Sequence, residues 1–486
     1  MTTALLRAAF GLTVLATTLA TLPASAAPIL LARGTLTGSS AGAGVDLSGQ
    51  TGTLENGLTG NVLGGMGSAI AWAGGNTFLA APDRGPNATA YNSAVDDTSS
   101  YIARFQTVQM SLVRSSSGAA TPFILTPTLV ATTLLSSPTA LNYGSGAGLG
   151  NRIDGTPLGS GAPAINTATA NYFTGRSDNF GPGNSGNAND ARLDPEGMRM
   201  SNDGKSVFIS DEYGPYVYQF DRATGSRIRS FSLPANLDVA NLSPNGGTEI
   251  SGNTSGRVAN KGMEGLAITP DGKTLVGIMQ APLIQDAAVG ASNKLLRIVT
   301  IDIATGITHE YGYKLTSGSG ASEITALNDH EFIVDERDGK GLGDGTTAVA
   351  KTLYKINLAG ATDITNLNGA TAAGAAVAKT SFVDLVALLN ANGVASNQIP
   401  SKIEGLAFGQ DVLLDGIFQH TLWIANDNDF VPGVAGPSLF YVVGFTDADL
   451  AGSAFVPQAV VPEPATVSLL FVGLAGLVGS TRRKRR

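Results

Sequence analysis

A repeated segment constrains the fold of this chain more than any other feature of its sequence. Residues 194–221 read DPEGMRMSNDGKSVFISDEYGPYVYQFD, which joins a Glu-Gly pair, an Asp-Gly turn, two strand-like runs and an acidic pair. Variants of this unit return when the chain is aligned on Glu196, Glu264, Glu323 and Glu404, at spacings of 68, 59 and 81 residues. Each unit therefore has room for four short strands and their loops.

Four-stranded units that repeat at this scale without helices between them predict an all-β fold, the β-propeller. Residues 65–87 supply a fifth similar segment, GMGSAIAWAGGNTFLAAPDRGPN. A blade usually takes about 40 to 50 residues, so the wider spacings indicate either insertions or a hidden blade. We expect six blades, with seven as the alternative, in one domain that covers residues 27–460.

The composition excludes several classes of function. The formal net charge is -8 and no basic stripe is visible, which argues against nucleic acid as a partner. The chain has no cysteine, so disulfides, thiolate catalysis and cysteine-based zinc sites are excluded. Its three histidines, at positions 309, 330 and 420, are too scattered for a histidine-rich metal site. Oxygen ligands are therefore the expected chemistry.

The N-terminal residues 1–26 have the features of a secretory signal peptide. Arg7 precedes an apolar run, and the sequence Ala-Ser-Ala at 24–26 provides a small-residue cleavage site. We expect the mature chain to begin near Ala27.

The C-terminal residues 461–486 combine a Pro-Glu-Pro motif at 462–464, an apolar run at 465–479 and an Arg-rich tail at 482–486. The run is slightly short for a membrane-spanning helix, and the basic tail is expected on the cytoplasmic side. This end resembles a PEP-CTERM sorting signal. The resemblance implies a Gram-negative exported protein, held in the inner membrane by this helix and then processed by an exosortase for the cell surface or medium. A plain C-terminal anchor is the alternative.

Carboxylates recur at equivalent strand ends of the repeats, which a propeller would gather around its central channel. Converging like charges repel one another and lose their hydration unless cations or arginines neutralise them. Ca²⁺ suits such a site because it takes six to eight oxygen ligands, whereas Mg²⁺ demands stricter octahedral geometry. Basic residues at positions 84, 192, 337 and 402 stand beside these acids. The predicted metal ligands are Asp83, Glu196, Asp211, Glu264, Glu323, Glu404 and Asp427.

The same carboxylates could instead stabilise turns by accepting hydrogen bonds from backbone N–H groups. We favour this interpretation for Asp203-Gly204 and Asp271-Gly272, and leave it open for the Glu-Gly pairs, where all four units use Glu. Residues 38–42, GSSAG, fit a nucleophile pattern by letter. Because neither the strand nor the helix that this pattern needs is visible, Ser40 is not expected to be catalytic.

Several motifs, taken together, resemble the phytase-like family, "esterase-like activity of phytase". They are DRGPN at 83–87, DPEG at 194–197, SDEYGPYVYQFD at 210–221, Glu-Gly-Leu-Ala at 264 and 404, DERD at 335–338 and NDND at 426–429. The resemblance covers roughly residues 60–447. It implies a secreted β-propeller with metal-assisted hydrolysis of phosphoesters or other esters.

Two functions remain open at this point. In the first, the protein hydrolyses a small anionic ester, with Glu212 or Glu336 as the proton acceptor and Arg84 and Arg337 neutralising charge in the transition state. In the second, it is a non-catalytic, calcium-dependent binding propeller of the cell surface or biofilm matrix, with an extracellular polymer as partner.

Overall fold

The computed structural model describes residues 27–36, 44–87, 91–96, 98–287, 294–316 and 318–461. The expected signal peptide, Ser40 and the sorting signal from residue 462 onward lie outside the described residues. Within the described ranges, no helix is both long enough and apolar enough to cross a bilayer.

The described strands form antiparallel sheets that repeat along the chain as blades. The first strand, β1 (Ile29–Leu36), pairs with the last strand of the described residues and belongs to blade 5. Blade 1 contains β2 (Ala69–Trp72), β3 (Thr77–Ala81), β4 (Arg104–Arg114) and β5 (Phe123–Leu134). A two-stranded ribbon follows, β6 (Ser136–Ser137) with β7 (Asn171–Tyr172).

The remaining blades follow in chain order. Blade 2 contains β8 (Pro195–Met200), β9 (Ser206–Asp211), β10 (Tyr216–Asp221) and β11 (Arg227–Ser232). Blade 3 contains β12 (Met263–Ile268), β13 (Thr274–Met279), β14 (Leu295–Asp302) and β15 (Thr308–Lys314). Blade 4 contains β16 (Gly320–Ala326), β17 (Glu331–Arg337), β18 (Lys351–Asn357) and β19 (Lys379–Asp384). Blade 5 contains β20 (Ile403–Phe408), β21 (Val412–Leu414), β22 (Ile417–Asn426), β23 (Ser438–Phe445) and β1.

Short helices lie in the connections. They are α1 (Gly246–Ser251), α2 (Ile284–Ala287), α3 (Gly369–Gly374), α4 (Leu385–Ala391) and α5 (Pro432–Ala435), with 3₁₀ turns at Ala235–Leu237 and Asp447–Leu450.

The propeller prediction is confirmed, but the expected number of blades is wrong. The innermost strands β2, β8, β12, β16 and β20 contact one another in a closed ring of five. Neither the expected six blades nor the alternative seven is found among the described residues. The wide repeat spacing comes from long connections, such as the 58 residues that separate Ser136 of β6 from Pro195 of β8. These connections add loops and a small ribbon rather than a further blade.

The ring is closed by strands from both ends of the propeller. Strand β1 pairs antiparallel with β23, from Ile29 opposite Gly444 to Leu36 opposite Ser438. The outermost strand of blade 5 is thus supplied by the beginning of the domain, while its other strands come from the end. Separating blade 5 from blade 1 therefore requires this ladder of hydrogen bonds to break.

The core lies between neighbouring blades, where the faces of adjacent sheets pack together. Phe208 and Phe231 of blade 2, for example, share one buried cluster with Leu266, Leu275 and Val299 of blade 3. The outer strand β5 alternates buried and exposed side chains over most of its length, as expected of a strand with one solvated face. Apolar contact between blades thus stabilises the ring that surrounds the channel.

The Gly of each Glu-Gly pair has a packing role in the inner ring. A Cβ atom added at Gly265 would lie 2.6 Å from Cα of Glu323 on the neighbouring inner strand. One added at Gly197 would lie 2.6 Å from the backbone nitrogen of Leu266. The inner strands therefore approach so closely around the axis that glycine is required at these positions.

The inner strands all run in the same direction, so the channel has two distinct faces. They begin at the face that carries Glu196, Glu264 and Glu404, which we call the acidic face. They end at the opposite face, which we call the turn face because the inner hairpin turns lie there. At this face Oδ1 of Asp203 accepts the N–H of Lys205, and Oδ1 of Asp271 accepts that of Lys273, both at 3.0 Å. The structural interpretation of the two Asp-Gly turns is thereby confirmed.

After blade 5, the chain crosses the turn face as an extended segment. The N–H of Val456 donates to the carbonyl of Leu327 at 2.8 Å, and the N–H of Val461 donates to that of Asn202 at 2.9 Å. The side-chain amide of Gln458 donates to the carbonyl of Met200 at 2.8 Å. Residues 456–461 are therefore fixed to blades 2 and 4 on the face opposite the acids.

We expect Gly265→Ala to destabilise the propeller by about 1 to 3 kcal/mol, the usual cost of overpacking, because the added methyl group meets the backbone of blade 4. Gly339→Ala is the matched control, since a Cβ atom there meets nothing within 4 Å. Denaturant unfolding of both variants measures the difference. Equal stabilities for the two would contradict the close packing of the inner strands.

Candidate metal and active site

Buried carboxylates from four blades converge at the acidic face. Their oxygens form three overlapping groups, each with ligand atoms that lie within 4.8 Å of one another. Asp83 belongs to two of the groups and Glu196 to two, so the groups make one continuous acidic cluster. The members of the acidic cluster are Asp83, Asp194, Glu196, Glu212, Glu264, Asp427 and Asp429.

The group formed by Glu196, Glu212 and Glu264 is buried, and its nearest cation is the Arg337 guanidinium, 3.9 Å from Glu264. Glu212 lies within hydrogen-bonding reach of the carboxyl groups of Glu264 and Asp194. Oε1 of Glu212 and Oε2 of Glu264 are buried, and neither finds a hydrogen-bond donor among the described residues. Carboxyl groups this close require a shared proton or a cation between them.

Electrostatics in this group favour proton or cation uptake. Burial raises the pKa of Glu196 well above its usual value, and the neighbouring Glu264, Asp194 and Glu212 raise it further. Burial also raises the pKa of Glu212, as do Glu264 and Asp194, and the charge of Arg84 offsets this only in part. In both residues the loss of hydration and the like charges outweigh the compensating charge.

The second group is partly neutralised by an arginine. The backbone N–H of Arg84 donates to Oδ1 of Asp194 at 2.7 Å, and its guanidinium donates to Oδ2 at 3.0 Å. Oδ1 of Asp83 accepts the N–H of Gly85 at 2.9 Å. Burial, followed by the charge of Asp427, raises the pKa of Asp83. Arg84 is thus committed to holding Asp194 in place.

The third group contains a lysine between two aspartates. Nζ of Lys402 lies 2.8 Å from Oδ2 of Asp427 and 2.5 Å from Oδ1 of Asp429. Although burial alone would raise it, the Lys402 ammonium holds the pKa of Asp427 below its usual value. This part of the acidic cluster carries its own counter-charge.

A polar cavity of about 140 Å³ adjoins Glu264 on the side of blade 4. Its walls are Lys261, Gln280, Ser319, Gly320, Ser322 and Arg337. Gln280 donates to Oε1 of Glu264 at 2.6 Å, and the Arg337 guanidinium lies 3.9 Å from the same oxygen. Arg337 also donates to Ser322 and forms an ion pair with Glu404. A cavity lined by cations and hydroxyl groups therefore borders the buried acids.

Two residues predicted as metal ligands accept hydrogen bonds from backbone N–H groups. Asp211 accepts hydrogen bonds from the N–H groups of Asp194 and Tyr213 at 3.1 Å and of Gly214 at 3.0 Å, while burial raises its pKa to about 7. Glu323 accepts those of Leu266 and Ile324 and lies 3.3 Å from Arg199. Neither belongs to the acidic cluster.

The strand register explains why Glu323 lies outside the acidic cluster. A β-bulge interrupts pairing at Glu264 in β12 and at Glu404 in β20, and in β16 the corresponding bulge falls on Ser322. Ser322 is thus the structural equivalent of the repeated glutamates, and Glu323 stands where the other units have Gly. A shift of one residue in a strand turns the side chain toward the opposite side.

The predicted proton acceptors are placed very differently. Glu212 is in the acidic cluster, whereas Glu336 points away from it. Its carboxylate accepts the hydroxyl of Tyr313 and the N–H groups of Thr316 and Gly318, each at 2.8 Å, and pairs with Lys379. Although burial alone would raise it, these partners hold the pKa of Glu336 below its usual value.

Sequence reasoning did not select Asp194, Asp429, Gln280 or Lys261 as site residues. A signal was present for the first two, because Asp194 belongs to the same DPEG motif as Glu196, and Asp429 belongs to the same NDND motif as Asp427. Lys261 and Gln280 belong to no acidic motif. Arg192, which was noted beside the acids, stacks on the Tyr213 ring at 3.2 Å instead.

Comparison with known proteins gives the family of the chain. The family described as "Phytase-like: Esterase-like activity of phytase" matches residues 61–430, which is most of the sequence. The chain belongs to the phytase-like family. The PEP-CTERM protein-sorting motif matches residues 460–486, which indicates an exported Gram-negative bacterial protein and implies processing by an exosortase.

Individual proteins match this phytase-like chain over only part of its length or at low identity. An uncharacterized secreted protein of Arthroderma benhamiae is 31% identical over 224 residues, covering 38% of this chain and 43% of the relative. The match thus spans less than half of either protein. Among solved structures, the calcium-binding protein regucalcin of Agrobacterium tumefaciens is 10% identical, with coverages of 81% and 94% and a TM-score of 0.30. A luciferin-regenerating enzyme is 11% identical, with coverages of 82% and 96% and a TM-score of 0.31.

Stability without divalent cations is expected to fall as the pH rises from about 5 to about 8. Burial raises the pKa of Glu404 to about 8, above the value near 4.3 of an unfolded glutamate. The folded state therefore binds more protons in this window, and the stabilising effect of that uptake disappears as the pH passes the folded pKa. Thermal unfolding in a chelator, measured across this range, tests the slope.

Glu404→Gln should flatten this slope, because the amide does not titrate. Asp271→Asn, at a mostly solvent-exposed turn where hydrogen bonds lower the aspartate pKa, should leave it unchanged. An identical slope in wild type and Glu404→Gln would show that Glu404 does not take up a proton on folding.

Proposed function

We propose that the acidic face binds a calcium ion and that the protein hydrolyses phosphoesters or other anionic esters there. The main support for this proposal is that the acidic cluster adjoins a cavity lined by cationic side chains. Glu264, a member of the acidic cluster, contacts Gln280 and Arg337, and these two residues line the cavity together with Lys261.

The residues present suit a hard divalent cation. Glu196, Glu212 and Glu264 offer carboxylate oxygens close enough to share one ion, and oxygen is the ligand that Ca²⁺ prefers. An ion here would replace the proton that these close carboxyl groups otherwise need. Asp83, with Asp427 and Asp429, has a lysine as counter-charge and is the weaker candidate. When bound, calcium would supply charge that polarises an ester and acidifies a bound water.

The adjoining cavity suits the anionic part of a substrate. Lys261 and Arg337 would attract phosphate oxygens, and Ser319 and Ser322 add hydroxyl donors. Of the two arginines proposed to neutralise transition-state charge, Arg337 lines the cavity while also pairing with Glu404, whereas Arg84 does not line it and is hydrogen-bonded to Asp194. Gln280 and Arg337 contact Glu264, so a bound anion would lie next to the carboxylates.

Glu212 is the proton acceptor that this arrangement favours. Its carboxyl group is in the acidic cluster, and its Oε1 has no hydrogen-bond donor among the described residues, so this oxygen could take the proton of a water beside the ion. Glu336, the other candidate, is occupied by the Tyr313 hydroxyl and the Lys379 ammonium. We therefore assign Glu336 a role in joining blades 3 and 4.

The alternative, a calcium-dependent binding propeller without turnover, has one observation in its favour. Glu196, Glu212 and Glu264 are all buried, so an ion held by them could stabilise the ring without meeting a substrate. In that case an extracellular polymer would be the partner. Turnover separates the two functions, because both predict calcium binding.

The processed protein should release phosphate or nitrophenol from a panel of phosphate monoesters and diesters, and EDTA should abolish this activity. Glu212→Gln should lower kcat by about 10²-fold or more, the usual contribution of a general base. Lys261→Ala should mainly raise KM, because it weakens anion binding. Asp302→Asn, at an exposed turn, is the matched control and should keep full activity.

An EDTA-insensitive activity, or a Glu212→Gln variant with wild-type kcat, would overturn the assigned roles. No turnover on the whole panel, together with calcium stabilisation, would leave the binding propeller as the function.

Calcium should raise the unfolding temperature, by an amount equivalent to about 2.7 kcal/mol at a hundredfold excess over Kd. Glu264→Gln should reduce this gain because it removes a ligand from the buried group. The Asp302→Asn control should show the full gain. If calcium has equal effects on wild type and on Glu196→Gln, Glu212→Gln and Glu264→Gln, the ion binds elsewhere.

A further inference from the structure

Two β-hairpins expose large apolar side chains at the edge of the turn face. In the hairpin of β4 and β5, Val113 and Ile124 are direct cross-strand neighbours and are 59% and 58% exposed. In the hairpin of β21 and β22, Leu413, Ile417 and Phe418 are 55%, 59% and 69% exposed. We call these five residues the apolar patch. A solvated hairpin tip would usually carry polar residues here.

The two hairpins are held together as one surface. The Arg114 guanidinium lies 2.8 Å from Oδ1 of Asp415, which joins their tips. On their inner side, Val412 and Leu414 pack against the buried cluster that contains Phe123 and Leu125. The apolar patch therefore combines two exposed cross-strand pairs, Val113 with Ile124 and Leu413 with Phe418, and Ile417 next to the turn of the second hairpin.

Strand direction places the apolar patch at the turn face. Strand β4 begins beside the acidic face at Arg104 and ends at Arg114, and the β21–β22 hairpin follows the end of inner strand β20. The same face carries residues 456–461, whose last described residue, Val461, is hydrogen-bonded to Asn202. The chain thus leaves the propeller on the face that exposes the apolar patch.

The distance to the expected membrane segment is short. Only residues 462–464 separate Val461 from the apolar run that begins at Ala465, and three residues extend at most about 11 Å. The headgroup region on each side of a bilayer is roughly 5 to 7 Å thick. A sorting segment lodged in a membrane would therefore hold the turn face against the bilayer surface.

We propose that the apolar patch inserts into the membrane interface while the sorting segment is still attached, with the acidic face directed away from the bilayer. Valine, leucine, isoleucine and phenylalanine side chains gain free energy when they leave water for the acyl boundary. The apolar patch adds a second contact beside the anchor, which fixes the tilt of the propeller. This inference does not depend on calcium binding or hydrolysis.

Site-specific fluorescence on the full chain tests the proposal, because the sequence has no cysteine. Phe418→Cys, labelled with an environment-sensitive dye, is reconstituted through its own C-terminal segment into vesicles of phosphatidylethanolamine and phosphatidylglycerol. Its emission should shift to the blue, and lipids with a doxyl group near the headgroup should quench it. Val349→Cys is the control, since Val349 is exposed and stands two residues before β18 on the acidic side. Its label should show neither effect.

Three other outcomes would each overturn the proposal. Quenching of neither label means that the apolar patch stays in water, and equal quenching of both means that the propeller has no fixed orientation. A blue shift of the Phe418→Cys label that needs no lipid and grows with protein concentration in detergent would identify a second copy of the chain as the occupant. Because both positions are exposed, matched unfolding temperatures of the labelled variants and the wild type control for folding.

Discussion

Like charges buried around one axis repel, and each carboxylate that leaves water loses its hydration. In this propeller the acidic cluster gathers seven such groups, whereas Arg84 and Lys402 neutralise only part of it. At Glu196, Glu212 and Glu264, burial and like charge favour the uptake of protons or of a cation, although Arg337 lies 3.9 Å from Glu264. The ring of blades must supply enough apolar burial to offset that cost, and the closure by β1 and β23 keeps the acids together.

The fold explains why these residues meet. Five inner strands begin at the same face, and the glycine after Glu196, Glu264 and Glu404 lets neighbouring backbones approach closely around the axis. The strands that follow return to that face and add Asp83 and Asp427. The opposite face is different in character, because it carries short turns, the extended segment 456–461 and exposed apolar side chains. The carboxylates at one end of the channel thus suit cations, and the apolar side chains at the other end suit a membrane surface.

The repeat in the sequence was sufficient to predict a propeller and the acidic character of one face. The number of blades was not predictable from spacing, because a long loop and a further blade lengthen a repeat equally. The bulge at Ser322 was also hidden, since SEIT reads like another Glu-containing unit until the pairing of β16 is known. Glu336 and Asp211 look like free acids in the sequence, yet tertiary contacts and turn N–H groups engage them.

The most direct measurement of the central claim is a crystal structure of the processed protein grown with calcium, with anomalous scattering used to locate the ion. We expect a peak about 2.3 to 2.6 Å from carboxylate oxygens of Glu212 and Glu264, with Glu196 in the same coordination sphere. A map without an ion, in which Glu212 and Glu264 share a short hydrogen bond at neutral pH, would contradict it.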